Sequence, residues 1–161
     1  MTEGPLISEK ITSLLGQVSP PAVLKVEAGA IARYADAIDD PNPLYRNVEY
    51  AKKSSYGDII SPPGFFGWPT QGGGLETGAV MSKVLGAVFE SGMMRILDGG
   101  VELDFYIPIR AGDTLVVYGQ FVDARERTGK SGKMLFLTME QTYLNQNGDK
   151  VAKSRATLIC S

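Results

Sequence analysis

The stretch Val101-Glu-Leu-Asp-Phe-Tyr-Ile-Pro-Ile-Arg110 decides the fold class. In it Val101, Leu103, Phe105, Ile107 and Ile109 alternate with Glu102, Asp104, Tyr106, Pro108 and Arg110. Successive side chains on a strand point to opposite faces, so the pattern predicts a strand with one face buried. Downstream, Arg110-Ala-Gly-Asp113 is a turn, and residues 114–123 read as a second strand with Leu115, Val117 and Phe121 on one side. A glycine-bounded turn at 128–132 leads to a third strand over 133–143. Asn145-Gln-Asn-Gly148-Asp149 has hairpin chemistry, and a fourth strand runs over 151–159. One face of that last strand is Ala152, Ser154, Ala156 and Leu158, small enough for a sheet curving tightly over something such as a helix.

Upstream the period changes. Ile7, Ile11, Leu14 and Leu15 after Ser8 predict a short amphipathic helix over 8–16, closed by Gly16 and ended by Pro20-Pro21. Residues 23–26 are β-branched and apolar, a short strand. From Gly29 the stripe Ile31, Tyr34, Ala35, Ile38 predicts a helix that stops before Asp40-Pro41-Asn42-Pro43. Asn47 caps a second short helix carrying Val48, Tyr50 and Ala51, ended by Gly57. Residues 61–74 form a long loop dense in Pro, Gly and aromatics, and Val80, Val84, Leu85 and Val88 return to helical spacing over 78–91. The chain reads as one α+β domain over 1–161, with 1–21 as an N-terminal extension and a long inserted segment near 61–92.

Composition narrows the chemistry. The 161 residues contain no histidine, which removes Ser-His-Asp and Cys-His nucleophile systems, His-ligated zinc and an imidazole base. Sixteen Lys plus Arg against eighteen Asp plus Glu leave a net charge of -2, without the basic excess that nucleic acid binding uses. The single Cys160 permits no internal disulfide and no thiolate metal cage, which favours a reducing, cytoplasmic setting. No apolar run reaches the length of a membrane span, and no metal is expected.

Two regions concentrate candidate chemistry. Asp39-Asp40-Pro41-Asn42-Pro43-Leu44-Tyr45 is a carboxylate pair held by prolines at a helix end, and equally a helix stop and turn. Residues 61–74, with Pro63, Gly64, Phe65, Phe66 and Trp68, are either a binding wall or a loop anchored by its aromatics.

With Tyr50-Ala51, Tyr56-Gly57, Ile59-Ile60-Ser61-Pro62-Pro63, Gly99-Gly100 and Gly112-Asp113, these motifs resemble the MaoC-like acyl dehydratases, in their fatty-acid-synthase-type dehydratase branch. The resemblance spans roughly residues 22–160. It implies a hot-dog fold, an antiparallel sheet wrapped around a helix, working as a dimer or pseudo-dimer on acyl thioesters of coenzyme A or acyl carrier protein, with no other cofactor. In catalytic members an Asp and a His five positions later hold the water that adds to an enoyl thioester. A backbone N–H at the start of the central helix polarises the thioester carbonyl. Carried over, Asp40 and Asn42 match, and the His position holds Tyr45, whose phenol ordinarily ionises near pH 10. The His-Gly pair at the helix start is replaced by Pro62-Pro63-Gly64. Proline has no N–H, so Pro63 removes the donor unless Gly64 supplies it.

The resemblance therefore implies a non-catalytic hot-dog subunit of an enoyl-CoA hydratase or 3-hydroxyacyl dehydratase, paired with a His-bearing MaoC-like subunit. Substrate-binding residues would be Pro63, Gly64, Phe65, Phe66 and Trp68, in a loop that widens the pocket for a bulky acyl group. Two alternatives stand beside it. One is a self-sufficient homodimeric hydratase using Asp40 with Tyr45, Asp58 or Glu76, and the other is an acyl-thioester-binding protein without catalysis.

Overall fold

The computed structural model describes residues 5–70, 78–129 and 132–161. Ser8 caps α1 (Glu9–Thr12) by accepting the Ile11 N–H, which satisfies one of the free donors of a helix start. Strand β1 (Ala22–Lys25) alternates buried and exposed residues, and α2 (Ala28–Ala37) buries Ala30, Ile31 and Ala35. Asp39 at φ 54° and the prolines that follow stop this helix. A 3-10 turn at Pro43–Tyr45 leads to α3 (Val48–Lys53), whose cap Asn47 accepts the Tyr50 N–H. This helix ends at Lys53, four residues before the glycine expected to end it, because the Ser54 cap is already extended.

The remaining elements are β2 (Trp68–Pro69), α4 (Ala79–Glu90), β3 (Ile96–Phe105), β4 (Thr114–Gly129), β5 (Gly132–Leu144) and β6 (Lys150–Cys160). They form one six-stranded antiparallel sheet in the order β2-β1-β4-β5-β6-β3. The sequence gives no signal for β2, since two residues including a proline have no period. Gly67 makes it possible: its φ is 92°, and a Cβ there would run into the Lys25 carbonyl oxygen, so only glycine lets the chain approach β1 this closely.

Two apolar clusters fill the concave side of the sheet. One gathers Val26, Ile31, Ala35, Tyr45, Leu115, Val117, Tyr143 and Ala152 around α2. The other seats Val80, Val84, Ala87 and Val88 of α4 against Phe121, Leu135, Leu137 and Met139. Leu6, Ile11 and Leu14 join the second cluster, so the N-terminal stretch contributes to the core. Each such aliphatic side chain, fully buried, contributes roughly 1.5–3 kcal/mol relative to exposure.

Register explains the small residues of β6. Val117, Tyr143, Ala152 and Phe105 stand opposite one another across four strands. Phe66 stacks on Tyr143 at 4.1 Å and on Phe105 at 6.1 Å, with Ala152 between those two strands. At this row the small side chain accommodates an aromatic ring of the 61–70 loop rather than a helix. Strand β3 departs from expectation more sharply. Every one of its ten residues is exposed, including Val101, Leu103 and Phe105 on the concave side. The strand lies at the sheet edge, and the buried residues of α4 cluster with those of β4 and β5, none from β3.

Candidate functional site

The candidate residues divide among three recesses. The largest of the three, a cleft of about 460 Å³, is lined by Asn42, Tyr45, Tyr56, Ser61, Pro62 and Pro63 on one side. The end of β3 and its continuation, Phe105 to Ile109, close the other side. Gly64, Phe65, Phe66 and Trp68 line a separate cavity of about 290 Å³ with Tyr34, Val117 and Tyr143. Asp40 borders a third recess of about 120 Å³ with Asp36, Asp39, Pro41 and Arg46.

Each local arrangement has a structural cause. The Asp40 carboxylate accepts the Asn42 N–H at 3.0 Å, and Asn42 Oδ1 accepts the Leu44 N–H at 3.1 Å, so both side chains brace the 3-10 turn. Arg46 clamps the helix end by donating to the Asp40 carbonyl at 2.9 Å and to Asp36 at 2.6 Å. Tyr45 is buried, and this burial, with the Asp40 charge nearby, raises its phenol above the ordinary value of 10.0 against a smaller opposing hydrogen bond from Asn42. A phenol shifted in that direction stays protonated near neutral pH and is no general base.

The turn at Pro62–Phe65 is built by its sequence. Pro63 sits at the second position and Gly64, at φ 93°, at the third, with the Phe65 N–H donating to the Pro62 carbonyl at 3.1 Å. Ser61 ties the loop down by donating from Oγ to the Phe65 carbonyl at 2.6 Å and from its N–H to the Ile109 carbonyl at 2.7 Å. Pro63 offers no N–H, and the Phe65 N–H is engaged. The Gly64 N–H meets no acceptor among the described residues, yet Gly64 lines the cavity of the aromatic rings and not the Tyr45 cleft. The donor and the motif residues thus do not converge on one point.

The aromatic loop also fills space that the sequence reading left open. Phe65 is buried against Tyr34 at 5.1 Å, and Trp68 meets its edge at 6.0 Å while remaining exposed. Asp58 is exposed and accepts the Ile59 N–H, and Glu76 lies outside the described residues, as does the 71–77 part of the insert expected near 61–92. Tyr56, Phe105 and Tyr106 of the cleft were missed in the sequence. Adjacent aromatics at 105 and 106, on a strand otherwise alternating apolar and polar, are the signal for Phe105 and Tyr106, and Tyr56 has no such signal.

A curled antiparallel sheet enclosing a helix, with a braced Asp-x-Asn-Pro-Leu turn beside it, defines a hot-dog protein of the acyl dehydratase and hydratase type. The chain belongs to the family described as FAS1-like, dehydratase domain region, whose model matches residues 13–154. It is 30% identical over 140 residues to a UPF0336 protein of Thermobifida fusca, covering 86% of this chain and 85% of that one. Among solved structures it is similar to the ChsH1-ChsH2 complex from Mycobacterium tuberculosis, with TM-score 0.83 and 16% identity over 95% of this chain and 89% of that one. It is also similar to the C-terminally truncated HadBC (3R-hydroxyacyl-ACP dehydratase) complex of the same organism, with TM-score 0.64 and 19% identity over 91% and 96% of the two chains. The hot-dog fold and the MaoC-like relationship read from the sequence are both borne out.

Proposed function

We propose that this chain is the non-catalytic, pocket-shaping subunit of a heteromeric enoyl-thioester hydratase or 3-hydroxyacyl-thioester dehydratase. The observation that carries the reading is the lining of the Tyr45 cleft. Among the described residues no carboxylate, amine or imidazole borders it, and the buried Tyr45 phenol is held protonated. Adding water across an enoyl thioester requires a base to take the water proton and an acid to return one to the α-carbon. This cleft offers neither, and Asp40 is occupied in bracing a turn that faces another recess.

In this reading a histidine-bearing hot-dog subunit supplies the acid–base pair. The present chain supplies walls for the acyl group. A cleft of about 460 Å³ bordered by Tyr56, Pro63, Phe105 and Tyr106 suits a planar or polycyclic group better than a short one. Two of the similar structures are named as complexes of two components, which supports a paired arrangement.

The test is co-expression with a histidine-bearing MaoC-like subunit, followed by hydration assays on crotonyl-CoA and on an aromatic enoyl-CoA. The pair should turn over and this chain alone should not. Within the pair, Asp40→Ala should leave kcat nearly unchanged, whereas Tyr106→Ala should raise KM for the aromatic substrate more than for crotonyl-CoA. Turnover by this chain alone, lost in Asp40→Ala, would establish the self-sufficient homodimer instead. Acyl-CoA binding without activity in any pairing would establish a binding protein.

A further inference from the structure

Two of the recesses share one partition. Phe105 borders the cleft of about 460 Å³ that holds Tyr45, and Tyr143 borders the aromatic cavity of about 290 Å³. The Phe66 ring stacks on both, 6.1 Å from Phe105 and 4.1 Å from Tyr143, with interplanar angles of 10° and 15°. Phe105 belongs to β3 and Tyr143 to β5, with β6 between them, so the two side chains rise from the sheet two strand spacings, or about 10 Å, apart. A ring nearly parallel to both, at those two distances, stands between them, above Ala152 of β6, which pairs with Phe105 on one side and Tyr143 on the other.

We propose that Phe66 is the specificity-determining residue of this site: its ring is a septum that closes the Tyr45 cleft off from the aromatic cavity, and so sets the length of the apolar group that the cleft accepts. That this group is the acyl chain of a thioester rests on the function proposed above; the septum itself does not.

The backbone on either side of the ring is held in place. Before it, the Ser61 hydroxyl donates to the Phe65 carbonyl at 2.6 Å, and after it Gly67 packs directly against the Lys25 carbonyl. The passage between the two recesses is therefore closed by one side chain and not by the loop as a whole. That side chain is only half-buried, whereas Phe65 beside it is buried against Tyr34. Beyond the septum the cavity suits an apolar occupant. Tyr34, Phe65 and Trp68 surround it with rings, and Gln141 in its wall already accepts the hydroxyls of Tyr143 and Ser154, at 2.8 and 3.4 Å. Each methylene buried there tightens binding about fourfold, so a ring that bars the way discriminates against every chain longer than the cleft.

Every wall concerned comes from this chain, so the full chain is tested by itself as wild type, Phe66→Ala and Phe66→Trp, each confirmed folded by circular dichroism. Butyryl-, octanoyl- and dodecanoyl-CoA are titrated by calorimetry. Phe66→Ala should tighten dodecanoyl-CoA at least about tenfold and leave butyryl-CoA within about twofold of wild type, and Phe66→Trp should keep the wild-type order of the three. A crystal structure of Phe66→Ala should show one continuous channel from Tyr45 to Trp68, with Phe105 and Tyr143 in place. Should Phe66→Ala not fold, Phe66→Leu replaces it with the same direction of change, because it removes the flat ring and keeps apolar volume. An unchanged chain-length order in the folded variant overturns the septum and leaves the proposed function standing. So does a structure in which Phe105 and Tyr143 close on each other and keep the recesses apart. No binding of any acyl-CoA by wild type or variants, beside an open channel in the crystal, overturns the proposed function and the selection by chain length with it.

Discussion

Strands β5 and β3 carry the same kind of message in sequence and receive opposite treatment in the fold. On β5, Leu135, Leu137 and Met139 alternate with Phe136, Thr138 and Glu140, and the first set is buried beneath α4. On β3, Val101, Leu103 and Phe105 alternate just as regularly, and all three remain exposed. Alternation reports that a strand has a face to be covered. It does not report whether the cover belongs to the same chain. The difference between the two strands marks where the described residues leave an apolar row of the sheet uncovered.

The largest expected effect tests that difference directly. Leu137→Ala removes a side chain of 0% exposure and leaves a cavity, so it should cost about 3 kcal/mol of unfolding free energy in denaturant titration. Leu103→Ala in the isolated chain should cost less than Leu137→Ala, since Leu103 is 36% exposed and part of its transfer energy has not been gained. In a complex that covers β3, the Leu103 variant should instead weaken association. Equal losses for the two variants in the lone chain would break the comparison.

Ala152→Leu comes next. Residue 152 is fully buried between Tyr143 and Phe105, the two residues that Phe66 spans. Added bulk there should force the ring outward at a cost of roughly 1–3 kcal/mol, visible as a lower thermal midpoint. The same change at Ala156, which is exposed on the same strand, should be nearly silent.

How much of this was legible in advance follows the same physical line. The order of helices and strands could be read because periods of 3.6 and 2 are local properties, and the caps Ser8 and Asn47 could be read because a side-chain oxygen reaches only two or three residues. β2 could not be, because its pairing depends on the close approach of Gly67 to Lys25 across more than forty intervening residues. In the candidate site, the motif positions Asp40, Asn42 and Tyr45 were evident, yet their division between two recesses was not. That division is set by Arg46 drawing Asp36 and the Asp40 carbonyl together, a contact no spacing rule announces. The aromatic loop was recognised by composition, but whether Phe65 and Phe66 open or fill space depends on Tyr34 and Tyr143, which come from elsewhere in the chain.

Tyr143 provides a smaller, pH-dependent contrast. Burial raises its phenol above 10.0, against a smaller opposing hydrogen bond from Ser154. In the unfolded chain the same group releases its proton first, so its contribution to stability is complete below pH 10 and falls as the pH rises past 10 toward the folded value. Tyr143→Phe loses the 2.8 Å hydrogen bond to Gln141, worth about 1 kcal/mol, at neutral pH. It should also show a shallower loss of stability in alkaline denaturation than wild type, because a group that releases its proton at lower pH in the unfolded than in the folded chain has been removed.

Glu140→Gln should have a small effect on stability, confined to the pH range in which the carboxylate is charged. Burial alone would push the Glu140 carboxyl up, but hydrogen bonds and charge from Lys153 and Arg155 more than reverse this and hold it below the ordinary 4.5. Its contribution is therefore present above pH 4.5 and lost as the pH falls through the folded value, so wild type and variant should converge in acid. With Arg155 about half exposed, the pair network should be worth no more than about 1 kcal/mol at neutral pH. The variant nevertheless releases both cations from β5. Arg155 and Lys153 stand directly opposite Glu102 and Asp104, and Arg155 already interacts electrostatically with both acids. Glu140→Gln should then scarcely move the unfolding midpoint at neutral pH. A carboxylate on the well-covered strand thus holds the two cations that face the acids of the uncovered one, and a wild-type advantage that is small at neutral pH and vanishes in acid is the expected signature.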